Sequence, residues 1–125
     1  MIVADSDVLI DFLAGGPAAE RVAIELQSRH FCTTAVTRFE LLAGARDRTA
    51  ESIVRRLLDP LTTLPLDRQA ADRAAEVRRL LEATGQGIGM ADSLIAGIVL
   101  RHEGMLLTRN RKHFGRIGGL ALATV

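Results

Sequence analysis

The chain opens with Met1-Ile2-Val3-Ala4-Asp5-Ser6-Asp7-Val8-Leu9-Ile10, and this stretch decides the fold. Residues 1–4 are apolar and predict a first strand, and a helix is predicted directly after it, from Ser6 to Leu13. Gly15-Gly16-Pro17 ends that helix, because glycine and proline interrupt helical structure. A strand that passes at once into a helix is typical of an α/β protein.

The same alternation continues to the end of the chain. Further strands are predicted at residues 31–34, 61–66, 105–108 and 120–125. Helices are predicted at residues 17–29, 35–45, 48–59, 68–84 and 90–103. The helix at residues 68–84 is predicted to have an inner apolar stripe of Ala70, Ala74, Val77 and Leu81. Strands that alternate with helices predict a parallel sheet with helices on both faces, in which a site lies outside the carboxyl ends of the strands.

Length and composition are those of one ordinary globular domain, which we expect to span residues 1–125. Of the 125 residues, 48% are hydrophobic and 25% are charged. No apolar run approaches the roughly 20 residues of a membrane span, and Asp5 interrupts the apolar N-terminus without a basic leader, so we expect a cytoplasmic protein without a membrane partner. Cys32 is the single cysteine and is interpreted as a small core residue.

The net charge of +1 is unevenly distributed. From Arg101 onward the chain has five basic residues and one acid. A basic segment is compatible with a polyanionic partner, and a solvated surface explains it equally well.

Four polar residues stand where this fold would place a site. Asp5 closes the first strand, Glu40 lies on the third helix, Asp92 opens the buried helix, and Asn110 follows the fourth strand. Each acid alone has a simpler interpretation: a helix cap for Asp5, a salt bridge to an arginine for Glu40, and a favourable helix end for Asp92. Together, buried carboxylates require a cation, and a hard ion such as Mg²⁺ or Mn²⁺ suits oxygen ligands.

The third helix supports a site role for Glu40. We expect its apolar side to face the core, with Glu40 at the edge of that side, where an unpaired charge is costly. The residues of this apolar side are Val36, Phe39, Leu42 and Ala43.

Further charged residues lie near these four. Asp7 is close enough to Asp5 to share a cation, whereas Asp11 is expected to be solvated. The basic side chains beside Asn110 are candidates for contacts with a phosphate backbone. They are Arg109, Arg111 and Lys112.

Four segments resemble the motifs of PIN domains, in the same order. The first is the apolar strand followed by residues 5–10, DSDVLI, and the second is residues 34–44, TAVTRFELLAG. The third is residues 91–96, ADSLIA, and the fourth is residues 107–114, LTRNRKHF. Their order, spacing and total length resemble the VapC-type toxins of bacterial and archaeal toxin–antitoxin pairs.

This resemblance implies a five-stranded α/β/α fold and RNA cleavage that depends on Mg²⁺ or Mn²⁺ and leaves 5′-phosphate and 3′-hydroxyl ends. The RNA could be tRNA, rRNA or mRNA. The resemblance also implies a homodimer and a cognate antitoxin that inserts a segment into the active site. By position, Asp5, Glu40 and Asp92 would be metal ligands, Asn110 would occupy the fourth catalytic position, and Ser6 would support the first acid.

The sequence departs from the family pattern at two positions. Asn110 stands where the family often has aspartate, which leaves open whether one or two ions bind. Asp7 stands where the family commonly has asparagine. We therefore expect that Asp7 restores the charge that Asn110 lacks.

Two other functions fit part of the sequence. A PIN-like module that binds RNA or protein without catalysis is compatible with Asn110. The pair Asp5-x-Asp7 also resembles the opening of phosphatases of the haloacid dehalogenase type, in which the first aspartate is the nucleophile. Val8 in place of the usual threonine, the short chain and the lack of a paired late acidic motif argue against a phosphatase.

Overall fold

Five short parallel strands form a single sheet. They are β1 (Ile2–Ala4), β2 (Phe31–Thr34), β3 (Thr62–Leu64), β4 (Met105–Leu107) and β5 (Ala121–Ala123). Their order across the sheet is β3-β2-β1-β4-β5, and β1 pairs with both β2 and β4. The computed structural model describes all residues from 1 to 125.

Seven helices cover this sheet. They are α1 (Ser6–Ala14), α2 (Ala19–Glu25), α3 (Ala35–Ala43), α4 (Arg48–Leu58), α5 (Arg68–Ala83), α6 (Met90–Arg101) and α7 (Arg111–Phe114). Two differ from prediction. α2 is shorter than residues 17–29, because Pro17 and Ala18 form a turn before it and residues 26–28 form a turn after it. α7 was not predicted, since four residues are too few for a helical period to show.

The sheet is buried on both faces, which confirms the predicted three-layer α/β/α fold. One face packs against α5, α6 and α7, and the other against α1 to α4. Neighbouring strand residues alternate between the two cores: Val3 and Leu106 belong to the first, Ala4 and Leu107 to the second. No helix is both long and apolar enough to span a bilayer.

Helices α5 and α6 pack closely against each other and form one layer of the fold. The predicted inner stripe of α5 is confirmed, since Ala70, Ala74, Val77 and Leu81 are all buried. Gly97 of α6 lies so near that an added Cβ would be 2.5 Å from the Ala70 carbonyl oxygen. This layer supports α6, whose first turn contains Asp92.

The chain order creates a crevice between β1 and β4. From β1 the chain moves to β2 on one side of the sheet, and only later to β4 on the other. In open α/β sheets, ligands bind outside the carboxyl ends of the strands at such a change of direction. Asp5 follows β1 and Thr108 follows β4 at this point.

Candidate functional site

Asp5 lies at the centre of the β1/β4 crevice and is 5% exposed. Its backbone N–H donates to the Leu107 carbonyl oxygen at 3.0 Å, which extends the pairing of the two strands. Its Oδ1 accepts from the Ser6 N–H at 2.8 Å, so Asp5 also caps α1. Its Oδ2 accepts from the Thr108 hydroxyl at 2.7 Å. Both carboxylate oxygens are therefore held in place.

Asp7 lies beside Asp5 and is only partly satisfied. Its Oδ2 accepts from the Arg109 N–H at 3.0 Å and lies 3.4 Å from the Thr108 hydroxyl. Its Oδ1 is buried and has no hydrogen-bond partner. A buried carboxylate oxygen without a partner raises the free energy of the folded protein, so a ligand bound at this atom would be stabilising.

The pKa values of these two acids reflect their crowding. Burial, and then the charges of Asp7 and Asp92, raise the pKa of Asp5 from an ordinary value of 3.8 to about 7, against the lowering effect of the hydrogen bonds from Thr108 and Ser6. Burial also raises the pKa of Asp7, despite its hydrogen bonds. Excess negative charge is therefore confined at this edge of the sheet.

Asp92 and Asn110 meet at the same edge. The Asn110 amide nitrogen lies 3.5 Å from Asp92 Oδ2 and 3.1 Å from His113 Nδ1. His113 Nδ1 is itself 3.6 Å from Asp92 Oδ2. The structure thus brings Asp92, Asn110 and His113 into one group, next to the pair of Asp5 and Asp7.

Glu40 joins the site through Ser6. The Ser6 hydroxyl donates to Glu40 Oε1 at 2.6 Å and lies 3.1 Å from Thr37 Oγ. Glu40 is exposed and has no arginine partner, so the simpler interpretation as a salt bridge is wrong. The expected apolar face of α3 is also wrong, because this helix buries Thr37 and Leu41 and leaves Phe39 69% exposed.

The charged residues around the site differ in their exposure and in their ion pairing. Asp11 was expected to be solvated, but it is 8% exposed, and its carboxylate pairs with the Arg109 guanidinium at 3.0 and 3.1 Å. The reason is tertiary, since Arg109 lies 98 positions away in sequence. Arg111 and Lys112 are exposed on α7.

Thr108 is the site residue that sequence analysis missed. It is fully buried, and its hydroxyl donates to Asp5, lies 3.4 Å from Asp7 Oδ2, and accepts from the Asn110 N–H at 2.9 Å. A polar residue at the end of the apolar strand Met105–Leu107 was the available signal, because a buried hydroxyl needs a partner.

The donor atoms suit a hard divalent cation, although they do not form a closed cage. No three His, Cys, Asp or Glu side chains converge closely enough to enclose an ion. Mg²⁺ commonly binds proteins through one or two carboxylates and keeps several waters. Asp7 has an unpartnered oxygen and lies beside Asp5, whose pKa is raised by burial and by negative neighbours, and this arrangement fits such an ion.

Comparison with known proteins gives the family. The family model "PIN domain" matches residues 2–120. The tRNA(fMet)-specific endonuclease VapC of Shigella flexneri is 28% identical over 120 residues, which cover 93% of this chain and 91% of that protein. Ribonuclease VapC19 of Mycobacterium tuberculosis is 29% identical over 116 residues, which cover 91% of this chain and 92% of the relative.

A solved structure agrees with these relatives. The DNA-bound VapBC of Salmonella typhimurium contains a chain that superposes with a TM-score of 0.87 at 26% identity, covering 98% of this chain and 96% of that one. The predicted resemblance to PIN domains is therefore confirmed, and the phosphatase interpretation is wrong. The match spans the four segments that carried the resemblance, and the chain belongs to the PIN domain family.

Proposed function

We propose that this protein is a metal-dependent endoribonuclease and the toxin of a type II toxin–antitoxin pair. The observation that carries the proposal is the crowded acidic edge, where Asp5 has a pKa of about 7 and Asp7 Oδ1 lacks a partner. Membership of the PIN domain family and the ribonuclease names of the relatives support the same activity.

The proposed ligands of Mg²⁺ or Mn²⁺ are Asp5, Asp92 and Glu40, with Asn110 at the fourth position. Water activation and neutralisation of charge on a phosphodiester are the chemistry that such an ion supplies when bound. The protein contributes orientation: Ser6 and Thr108 fix the Asp5 carboxylate from two sides. Ser6 also holds Glu40, the outermost of the proposed ligands.

Asp7 is proposed as the acid that compensates for Asn110. The Asn110 amide brings no charge to the site, whereas Asp7 adds a carboxylate with one free oxygen. If Asp7 contributes to ion binding, the Asp7→Asn variant will bind fewer ions or bind them more weakly. Unchanged stoichiometry and affinity in a calorimetric titration would remove Asp7 from the site.

RNA is proposed to approach across α7. Arg111 and Lys112 are exposed there, directly after Asn110 in the chain, and can contact phosphates. The Shigella flexneri relative is named as specific for tRNA(fMet), which makes tRNA the first substrate to test. The chain has no Trp or Tyr, so recognition of RNA shape and backbone is favoured over base stacking.

An apolar groove is proposed to receive the antitoxin. It has a volume of about 380 Å³, lies between α1, α3 and α4, and includes Glu40 among its lining residues, so a bound segment would reach the site. Ile10 and Ile53 on its walls are about half exposed, at 53% and 49%. Solved structures similar to this chain are described as DNA-bound VapBC of Salmonella typhimurium and as a toxin–antitoxin complex of Klebsiella pneumoniae. Ile53→Glu should weaken inhibition by the antitoxin without reducing cleavage, and equal inhibition of both proteins would exclude this groove.

A second apolar surface is proposed as the homodimer interface. Phe39, Met90 and Leu66 are 69%, 65% and 40% exposed and surround a hollow of about 340 Å³ between α3 and the start of α6. The Met90→Glu variant should be monomeric by light scattering if this surface buries a second copy. A dimer of unchanged stability would point to another interface.

The experiment that tests the function is cleavage of RNA by the purified protein, free of antitoxin, in Mg²⁺ or Mn²⁺. Mixed tRNA and rRNA serve as substrate, with EDTA and the Asp92→Asn variant as controls. Discrete fragments that disappear in both controls are expected. Folded protein that binds RNA but cleaves none of it with either ion would support a binding module instead.

A further inference from the structure

An ion pair outside the proposed metal site connects α1 to the loop between β4 and α7. Arg109 Nη1 lies 3.1 Å from Asp11 Oδ1 and 3.0 Å from Asp11 Oδ2. Asp11 is on the same face of α1 as Asp7, one turn further along. The Arg109 side chain is 46% exposed, whereas that of Asp11 is 12% exposed, so the acid is the fixed partner.

The Asp11 carboxylate is held by contacts of its own. Its Oδ2 accepts from the Ala18 N–H at 3.1 Å, at the start of the segment that leads into α2. Gly16 lies so close that an added Cβ would be 2.7 Å from Asp11 Oδ1. Asp11 is therefore a rigid anchor, and not an acid that can turn to solvent.

The loop that this anchor holds contacts the proposed metal site at three consecutive residues. Thr108 donates to Asp5, the Arg109 N–H donates to Asp7 Oδ2 at 3.0 Å, and Asn110 lies beside Asp92. Residues 108–110 belong to no helix or strand. The Arg109 side chain thus fixes the middle of an irregular segment whose two neighbours reach the acids.

We propose that Asp11 is a positioning residue for cleavage: through Arg109 it holds residues 108–110 against Asp5, Asp7 and Asp92. This inference rests on the proposed ribonuclease function. It assigns the Arg109 guanidinium to an ion pair within the protein, which replaces the prediction that Arg109 contacts RNA and leaves that contact to Arg111 and Lys112. Outer partners that orient ligands commonly change metal affinity or activity by roughly 10- to 100-fold.

The first test measures amide hydrogen exchange in the metal-free protein and needs no activity. Asp11→Asn keeps an oxygen for the Ala18 N–H but loses the charge that holds Arg109. We expect the amides of Arg109 and Asn110 to exchange roughly tenfold faster, with no change at Ile98 in the core. The matched control is Asp59→Asn, which removes the partner of Arg38 at an exposed pair and should leave all these amides unchanged.

The second test separates positioning from RNA binding. In Asp11→Asn, kcat is expected to fall roughly tenfold with the KM for tRNA unchanged. Arg109→Lys leaves the hydrogen bond from the Ala18 N–H to Asp11 intact and keeps the positive charge, but it loses the contact with both Asp11 oxygens. Its kcat should therefore lie between those of wild type and Asp11→Asn. This variant also provides the test if Asp11→Asn folds poorly. If Arg109 instead binds RNA, Arg109→Lys raises KM alone, and the inference is overturned.

Failure of this inference differs from failure of the proposed function. Wild-type protein that cleaves no RNA contradicts the function, while the exchange measurement still tests the anchor. Active wild-type protein with unchanged exchange at Arg109 and Asn110 in Asp11→Asn contradicts the anchor alone.

Discussion

The acidic edge between β1 and β4 and the apolar layer of α5 on α6 differ in what they contribute. In the layer, small residues allow two helices to pack so closely that Gly97 has no room for a methyl group. At the edge, the buried Asp5 and the half-buried Asp7 lie beside each other, and both have raised pKa values. Because α6 belongs to both regions, the stable layer supports an edge that is electrostatically unfavourable without a cation.

The largest expected effect comes from Asp5→Asn, which should lower the rate of RNA cleavage but raise the stability of the metal-free protein. Removing the charge should reduce RNA cleavage by at least roughly a thousandfold, since the loss of metal chemistry is worth several kcal/mol. In EDTA the same variant should unfold at a higher urea concentration, because a buried negative charge is gone and asparagine still caps α1.

Cleavage is measured as initial rates on tRNA, and stability by urea titration at about pH 8, where Asp5 is ionised. Asp11→Asn shares the substitution but keeps Asp5, so its stability in EDTA should not rise. An Asp5→Asn protein that is less stable than wild type without metal would show that the edge does not oppose folding.

The next effect lies in the apolar layer. Gly97→Ala places a methyl group 2.5 to 2.7 Å from the Ala70 carbonyl oxygen and from Ala74 atoms, so the free energy of unfolding should fall by about 2–3 kcal/mol. The control is Gly118→Ala, where an added Cβ meets nothing within 4 Å. Metal affinity of the folded Gly97→Ala protein should stay unchanged, and a large loss of affinity would mean that the two regions are not separable.

A smaller effect per unit of pH is expected in the pH dependence of stability. The pKa of Asp5 is about 7 in the folded protein, against an ordinary 3.8 for the unfolded chain. Between these values the folded state binds a proton that the unfolded state has released. The free energy of unfolding in EDTA should therefore fall as pH rises from about 4 to 7, by at most about 1.4 kcal/mol per pH unit for this proton.

Urea titrations in EDTA at a series of pH values measure this slope. Asp5→Asn should flatten the slope, as should saturating Mg²⁺, which neutralises the ionised acids. A slope of equal size in Asp5→Asn would assign the proton to other groups.

The smallest effect is expected on RNA binding by α7, which begins directly after Asn110 of the acidic edge. Arg111→Gln and Lys112→Gln should each weaken RNA binding modestly and lower the salt dependence of binding by about one released ion. Filter binding at several salt concentrations measures this slope, and kcat at saturating RNA should not change. Loss of kcat without loss of salt dependence would place these side chains in catalysis.

The sequence predicted the apolar layer better than the acidic edge. The stripe Ala70, Ala74, Val77 and Leu81 could be predicted because helical periodicity is a local property of the sequence. The five strands could be predicted because short apolar runs are also a local property. The amphipathic face of α3 was misjudged, since Phe39 is apolar but exposed. An exposed apolar residue cannot be told from a core residue by the sequence pattern alone.

At the edge, the sequence predicted which acids lie near one another but not how they are held. Asp5, Asp7 and Asp92 come together as expected, because β1 and the start of α6 meet at one end of the sheet. Thr108 and the pairing of Asp11 with Arg109 depend on contacts across about a hundred residues of chain. No local pattern reports such contacts, and an acid such as Asp11, one helical turn from Asp7, looks solvated when it is read alone.

The most direct test of the central claim, that the acidic edge holds a divalent cation through Asp5, is a calorimetric titration with Mn²⁺ at about pH 6.5. Two buffers of different ionisation enthalpy reveal proton release, which metal binding to a largely protonated Asp5 must cause. Wild-type protein is predicted to bind Mn²⁺ and release most of one proton, and Asp5→Asn to bind far more weakly without proton release. Equal binding by the two proteins, or binding by wild type with no proton released, would contradict the claim.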